Sequence, residues 1–453
     1  MIHAKNIIIV GGNAAGPAAA AKAKRILPDS NVLLFESGEF ISTGTCELPY
    51  VLSGQIKDYH DIVFFTPSSF EQKKGVKVFA EHRVESIDKR NKKVYAKNLR
   101  NNSVLEYDYD KLILATGSKA VKLPSLPEHL ENVFYLKSVA DLLQIKNFIQ
   151  NKHVKKVLVI GSGFIGLETA ESFHSLGYEV TIIDKENLPM PPAEPEIQNL
   201  ILEILKKKKI NFYGGLANPK FIFTENTVSS IVLDGYKFEF DIILVAAGVK
   251  PNNSLAVSAR LETGKSGGIK VDAKLKTSDP NIFAAGDCIE VVNRITNRND
   301  YIPVATIAHA TGHIAGANAA GSNLYTQPVV KNIAVKIFEN SLSIVGLTLS
   351  EATIHGFKTN SVSAVAPNII TVMPGSEKVF GKIIFDKNSG LILGASFLGG
   401  REVTGYADLI SSMIFNKSKA ENLAAVDYNY TPPLSPFVNI LSILGRKINE
   451  SRI

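Results

Sequence analysis

The chain has 453 residues, of which 45% are hydrophobic and 21% charged, with a formal net charge of +7. That length and hydrophobic content support two or three domains, each with a core of its own, and make a globular chain the default reading. Two cysteines, Cys46 and Cys288, cannot form a disulfide framework and point to a reducing, cytoplasmic setting.

The longest apolar run, Ile7 to Ala21, is broken by Gly11, Gly12, Asn13, Gly16 and Pro17. It reads as strand, phosphate loop and helix rather than a signal or membrane segment. A strand from Lys5 to Val10 leads through Gly11-Gly12-Asn13-Ala14-Ala15-Gly16 into an alanine-rich helix ending at Leu27, and a second strand, Asn31 to Glu36, finishes in an acid. This is the plan of a dinucleotide-binding unit, in which pyrophosphate rests on the helix N-terminus and the acid holds the ribose hydroxyls. Asn13 departs from the pattern, since a glycine usually stands there.

Ten residues beyond Glu36, the string Ser42-Thr43-Gly44-Thr45-Cys46-Glu47-Leu48-Pro49-Tyr50 carries the one cysteine placed for chemistry. Positions 49 and 51, three and five residues later, hold proline and valine, so Cys46 has no neighbouring thiol to pair with. Tyr109 to Gly117 follows, closing on Ala115-Thr116-Gly117.

The second dinucleotide unit has every element of the fingerprint: strand Lys156 to Ile160, Gly161-Ser162-Gly163-Phe164-Ile165-Gly166, a helix to Leu176 capped by Gly177, and strand Glu179 to Asp184. Lys206 to Lys209 end an apolar-periodic helix, where lysines suit the helix dipole. No aromatic residues are interleaved with them, so they read as a solvated helix end and not a nucleic-acid patch. Asp241 to Gly248 is a sibling of the earlier Tyr109 to Gly117 segment. Thr277 to Asp287 comes next, with Cys288 directly after it, and Ile302 to His313 forms a further helix. His309 and His313 stand four apart there and read as surface or packing histidines, because no Cys, Asp or Glu spacing completes a metal set. From about Asn323 the pattern changes to strands, Ile333 to Phe338, Ser343 to Leu347, Gly381 to Phe385 and Leu391 to Leu398, followed by a helical end.

These motifs, in this order, resemble the single-cysteine branch of the pyridine nucleotide-disulfide oxidoreductases, the group containing coenzyme A-disulfide reductase, NADH oxidase and NADH peroxidase. The resemblance spans essentially the whole chain. It implies an α/β fold with two Rossmann-like domains, for FAD and NAD(P), and a C-terminal α+β dimerisation domain. The expected division is 1–118 for the first part of the FAD domain, 119–250 for the NAD(P) domain, 251–322 for the second FAD part and 323–453 for the interface domain. FAD is then expected at Gly11, Gly12, Ala15, Gly16, Glu36, Ala115, Thr116, Gly117, Asp287 and Ala305. The nicotinamide cofactor, NADH or NADPH, is expected at Gly161, Gly163, Gly166, Glu168, Asp184 and Gly248, with Asp184 favouring NADH and Lys185 beside it able to meet a 2′-phosphate.

The resemblance further implies that Cys46 is the redox-active residue, assisted by Tyr430 from the partner subunit of a homodimer. Asp427 to Pro436 is similar to the Tyr-x-Pro-Pro segment of coenzyme A-disulfide and persulfide reductases. Oxidases and peroxidases of the group place a histidine where this chain has Ala14. Arg25, Ser42 and Lys74 match positions that contact coenzyme A, itself a candidate bound group. Helix dipoles and flavin are expected to hold the sulfur ionised, while Glu47 opposes this if it points inward. The chain as given ends at Ile453, leaving no room for the rhodanese domain of some persulfide reductases.

The expected function is thus an FAD-dependent NAD(P)H oxidoreductase reducing a coenzyme A-type disulfide, persulfide or polysulfide, with a small sulfur compound as partner and neither nucleic acid nor membrane. An NADH oxidase that reduces oxygen through a Cys46 sulfenic acid is the alternative, as is a redox-sensing flavoprotein that acts by binding.

Overall fold

The computed structural model describes residues 5–216, 219–233 and 235–451. Its first sheet has five parallel strands in the spatial order Ile282–Ala284, Lys111–Leu114, Asn6–Val10, Asn31–Phe35 and Lys77–Phe79. The apolar runs that form it are almost wholly buried, as parallel strands covered on both faces must be. Ile282–Ala284 pairs with Lys111–Leu114 although 167 residues separate Leu114 from Ile282 in the numbering, so the chain leaves this domain and returns to it.

Between those visits the chain builds a second five-stranded parallel sheet, ordered Val133–Phe134, Ile242–Val245, Lys156–Ile160, Glu179–Ile183 and Asn211–Tyr213. Each domain also carries a three-stranded antiparallel sheet, His82–Asp88, Lys93–Asn98 and Val104–Asp108 in the first and Lys220–Thr224, Thr227–Leu233 and Tyr236–Phe238 in the second. Two short antiparallel strands, Ser118–Ala120 and Val249–Pro251, form the hinge where the chain passes between the domains.

The C-terminal unit is a five-stranded antiparallel sheet ordered Asn332–Ile337, Asn340–Gly346, Ile392–Gly399, Lys378–Asp386 and Thr359–Pro367. Helices Val403–Phe415 and Ile440–Glu450 pack on it. The strand Thr359–Pro367 has no counterpart in the sequence reading: its Asn, Ser and Ala content gives weak alternation, and its terminal proline suits only the sheet edge it occupies. Among the described residues no helix is long and apolar enough to cross a membrane.

One buried charge cluster ties the nicotinamide-side unit to the C-terminal unit. Lys382 Nζ, on the strand Lys378–Asp386, lies 2.7 Å from Glu194 and 2.9 Å from Glu196, with the Lys382 and Glu194 side chains only 6% and 2% exposed. Glu194 also accepts from Leu349 N at 2.7 Å, at the start of the helix Leu349–Ile354. Removing one member of such a cluster strands the other charge in the interior, at a cost of about 3–5 kcal/mol. Lys382→Met is therefore expected to lower the melting temperature markedly, and Lys382→Met combined with Glu194→Gln to recover part of the loss, as read by calorimetry; equal melting of all three proteins would contradict the assignment.

Candidate active site

The first glycine loop is shaped by contacts that leave no room for side chains. A Cβ on Gly16 would stand 1.7 Å from Gly11 O, so the helix Ala15–Ile26 starts as close to the loop as backbone allows. In the second unit, a Cβ on Gly166 would stand 2.0 Å from Gly161 O. Each loop is then held by the acid at the end of the next strand. Glu36 Oε2 accepts from Gly12 N at 2.6 Å, and Asp184 Oδ2 accepts from both Ser162 N and Ser162 Oγ at 2.6 Å. Asp184 is buried, while Lys185 points outward and lies 3.6 Å from Glu186. Both loops thus present a helix N-terminus and an oriented carboxylate, the donor and acceptor set that a dinucleotide requires, and both fit the cofactors expected.

The remaining flavin-side residues converge on the same edge of the first sheet. Ala115 N donates to Val10 O at 2.8 Å, Thr116 Oγ1 to Asn252 O at 2.6 Å, and Asn252 N to Gly117 O at 2.9 Å, so the Ala-Thr-Gly turn meets the returning hinge. Gly248, on the far side of that hinge, accepts from Val121 N at 2.9 Å. Asp287 follows Ile282–Ala284 and accepts from Ser118 Oγ at 3.1 Å. Tyr301 Oη is buried and unpaired, and faces Ser118 and Asp287; burial raises its pKa. Such an orphan hydroxyl fits a site that a polar cofactor completes. Ala305 opens the helix Ala305–Ala319, whose packing on Ala15–Ile26 is close because Gly312 lies over Ala15 and Gly316 over Ala19.

The cysteine loop is stitched to the glycine loop. Ser42 N donates to Gly12 O at 2.8 Å, and Asn13 Oδ1 accepts from Thr43 N at 2.9 Å and Thr43 Oγ1 at 3.2 Å. Gly44 N completes the seam with a 2.8 Å bond to Ile62 O. The asparagine that breaks the usual glycine pattern is therefore the residue that positions the cysteine loop. Ser42 takes φ 51°, a left-handed conformation that a serine holds only when its surroundings impose it.

Cys46 is exposed and Cys288 is buried. Cys288 Sγ points at Ala285 O, 3.2 Å away, and Leu114 O, 3.4 Å away, as expected of a packing residue. The Cys46 thiol is pushed above its ordinary pKa by burial of its surroundings, then by Glu47, Glu168 and Asp287, with Lys137 alone pulling it down. The helix after it, Leu48–Leu52, has five residues and supplies little dipole. The expectation that Glu47 opposes the charge agrees with this, and the protein groups as a set favour the thiol, so any hold on the thiolate falls to the flavin that the expectation also invoked.

Glu168 sits on the helix Phe164–Ser175 and accepts from Tyr50 Oη at 3.1 Å. Burial pushes its carboxyl up to about 7. Lys137 Nζ approaches Asp287 Oδ2 at 4.0 Å. Neither Lys137 nor Tyr301 carried a sequence signal, and the Tyr50 link to Glu168 spans 118 residues.

Arg25 is exposed on the last turn of Ala15–Ile26. It and Lys22 face His313, whose ring lies 4.6 Å from that of His309, and burial, then His309, then these two cations lower the His313 pKa. Lys74 stands over the Phe65 ring at 5.4 Å, next to Gly75, which packs on Lys24. Tyr430 lies elsewhere, on the C-terminal unit, 44% exposed and edge-on to Phe437 at 5.3 Å. Leu434 and Phe437 beside it are 76% and 77% exposed, an apolar patch of the kind that partners cover. None of the described contacts of the cysteine loop involves Tyr430.

Known proteins are similar to this chain over nearly its whole length. The family pattern described as Pyridine nucleotide-disulphide oxidoreductase matches residues 5–312, and its dimerisation domain matches residues 332–440. A protein named NADH oxidase from Methanocaldococcus jannaschii is 31% identical over 96% of this chain and 97% of its own length. One named NAD(P)H coenzyme A polysulfide/persulfide reductase from Pyrococcus horikoshii is 29% identical over 98% of both. The crystal structure of reduced Bacillus anthracis CoADR-RHD superposes with a TM-score of 0.94 at 30% identity, covering 98% of this chain and 80% of that one.

Gly16→Ala drives a methyl into the Gly11 carbonyl and is expected to yield folded protein that has lost most of its bound flavin, read as the ratio of visible to ultraviolet absorbance. Full flavin content in that variant would contradict the placement of the cofactor on this loop.

Proposed function

The chain belongs to the pyridine nucleotide-disulphide oxidoreductase family, and on that premise we propose that it is a homodimeric FAD enzyme that uses NAD(P)H to reduce a coenzyme A-type disulfide, persulfide or polysulfide through Cys46. The observation that carries this reading is a lone exposed thiol held on a loop stitched to the flavin-side glycine loop, with the other cysteine sealed in the core. Bound FAD supplies the two-electron relay between nicotinamide and sulfur.

Cys46 acts as a thiolate on the sulfur–sulfur bond of the substrate: a new bond forms between its sulfur and one substrate sulfur, and the other leaves as a thiolate that takes a proton. Two electrons and one proton then break the mixed disulfide, releasing the second thiol and restoring the Cys46 thiolate. Tyr430 of the partner subunit supports the protonation of the leaving sulfur, its exposed hydroxyl being carried on the dimerisation domain beside the apolar patch of Leu434 and Phe437. Arg25, with Lys22 beside it, supplies positive charge suited to phosphate, and Ser42 and Lys74 are the further residues that meet coenzyme A. Glu168 positions the carboxamide of the nicotinamide. Asp184 favours NADH, because its buried carboxylate repels a 2′-phosphate and Lys185 is drawn off toward Glu186.

The name of the Methanocaldococcus relative favours a second reading, reduction of oxygen through a sulfenic acid at Cys46. Ala14, exposed at the start of the first helix, offers no proton for that reaction.

Mass analysis of the peptide bearing Cys46, from oxidised protein denatured without reductant, separates the two: a coenzyme A adduct is expected, and a single added oxygen would select the oxidase. Cys46→Ser is expected to keep FAD and NAD(P)H-dependent dye reduction and to lose disulfide turnover by at least about a thousandfold, as loss of a nucleophile does. Retained disulfide turnover would exclude the mechanism.

A further inference from the structure

Cys46 and Glu168 come from different domains, yet the helix Leu48–Leu52, which directly follows the turn bearing the cysteine, is fastened to the helix that carries Glu168. Tyr50 Oη donates to Glu168 Oε1 at 3.1 Å, and Ser172 Oγ, one turn further along the same helix, donates to Pro49 O at 2.8 Å. Around these bonds Leu48, Val51 and Leu52 share one apolar core with Leu167, Ala170 and Phe173. The short cysteine helix therefore cannot shift relative to Glu168 without breaking two hydrogen bonds and opening packed surface.

The charges that face the thiol come from every side of this junction: Glu47 on its own turn, Glu168 across the helix pair, Asp287 from the flavin-side strand end, and Lys137 from the segment ahead of the helix Val139–Asn151. Three of the four are acids, and one base stands against them. Glu168 in turn faces Tyr50, Glu171 and Lys336. Glu171 is itself paired with Lys336, which limits what that lysine can do for Glu168.

We infer that Glu168, held by Tyr50, is a positioning residue that governs the ionisation of Cys46, so that negative charge on the carboxylate opposes negative charge on the sulfur. This rests on the reading of Cys46 as the reacting thiol. The physical basis is like-charge repulsion in a partly dehydrated pocket, where each anion disfavours the other. The carboxyl, pushed up to about 7, is ionised over the range in which the thiol, itself pushed above its ordinary value, loses its proton, so ionising Cys46 places a second negative charge beside the first. The proton that leaves the Cys46 S–H bond goes to solvent, and the repulsion from Glu168 is what makes that loss costly. The bond from Tyr50 favours the carboxylate and so works against the thiolate. Because Glu168 stands on the helix that begins at the second glycine loop, the charge state of the sulfur is coupled to the nicotinamide domain.

The test is the rate of alkylation of Cys46 by iodoacetamide as a function of pH, on reduced, FAD-loaded protein freed of reductant. Cys288 is buried, and mass analysis reports Cys46 alone. Removing an anion that faces the thiol lowers the thiol pKa, so Glu168→Gln is expected to move the midpoint of the profile down by about 1 pH unit and to raise labelling at neutral pH about tenfold. Tyr50→Phe leaves Glu168 in place and charged over the range in which the thiol titrates, and is expected to move the midpoint far less than Glu168→Gln does. The double variant should match Glu168→Gln alone, since an uncharged glutamine leaves Tyr50 nothing to modulate. A purely structural role would change rates at every pH and leave the midpoint in place.

Coincident midpoints for wild type and Glu168→Gln would overturn the inference, as would a Tyr50→Phe shift that persists in full on top of Glu168→Gln. Disulfide turnover surviving in Cys46→Ser would instead overturn the functional reading, without touching the profile of the thiol itself.

Discussion

Where the sulfur sits is decided by the seam between two loops. Gly12 and Asn13 accept three hydrogen bonds from Ser42 and Thr43, and Ile62 accepts a fourth from Gly44. At about 1 kcal/mol each, these bonds outweigh the cost of about 1–2 kcal/mol for holding Ser42 in a left-handed conformation. The thiol is thereby placed by the same backbone that shapes the flavin-side phosphate loop. The seam holds the loop ahead of the cysteine, while the five-residue helix after the turn Thr45–Glu47 is held from the other side by Glu168 and Ser172.

The second constraint is the helix Phe164–Ser175, which serves three domains at once. Its N-terminus faces the second glycine loop, Glu168 and Ser172 hold the cysteine helix, and Glu171 reaches the C-terminal sheet through Lys336 and Phe338 N. The buried cluster of Lys382, Glu194 and Glu196 fastens the same two domains a second time. These contacts hold the domains in rigid relation to one another. The electrostatics run the other way: acids around the thiol favour its protonated form, so reactivity depends on groups that can neutralise them.

Much of this was legible in the sequence. Both glycine loops, their terminal acids Glu36 and Asp184, and four strands of the C-terminal sheet are local patterns, a few residues of fixed period followed by a turn. The helix Ala305–Ala319 follows from the same kind of signal. What was not legible depends on pairs far apart in the chain. Asn13 looks like a flaw in a motif until Thr43 is seen bonded to it. Tyr50 and Glu168 are ordinary residues in sequence and partners in space. Lys137 reaches Asp287 from another domain, and the edge strand Thr359–Pro367 is defined by its neighbour, not by its own weak alternation.

The account stands on one sulfur lying against the cofactor and exchanging electrons with it. Anaerobic reduction by one equivalent of NADH of the FAD-loaded protein with Cys46 held as a mixed disulfide, followed by visible absorbance, measures this directly, because the two electrons go to the disulfide and a thiolate in contact with an oxidised flavin gives a long-wavelength charge-transfer band. The account predicts that such a band appears, fades on acidification as the thiolate takes up a proton, and is abolished by alkylation of Cys46. A reduced cysteine with no such band at any pH, in protein that retains its flavin, would contradict it.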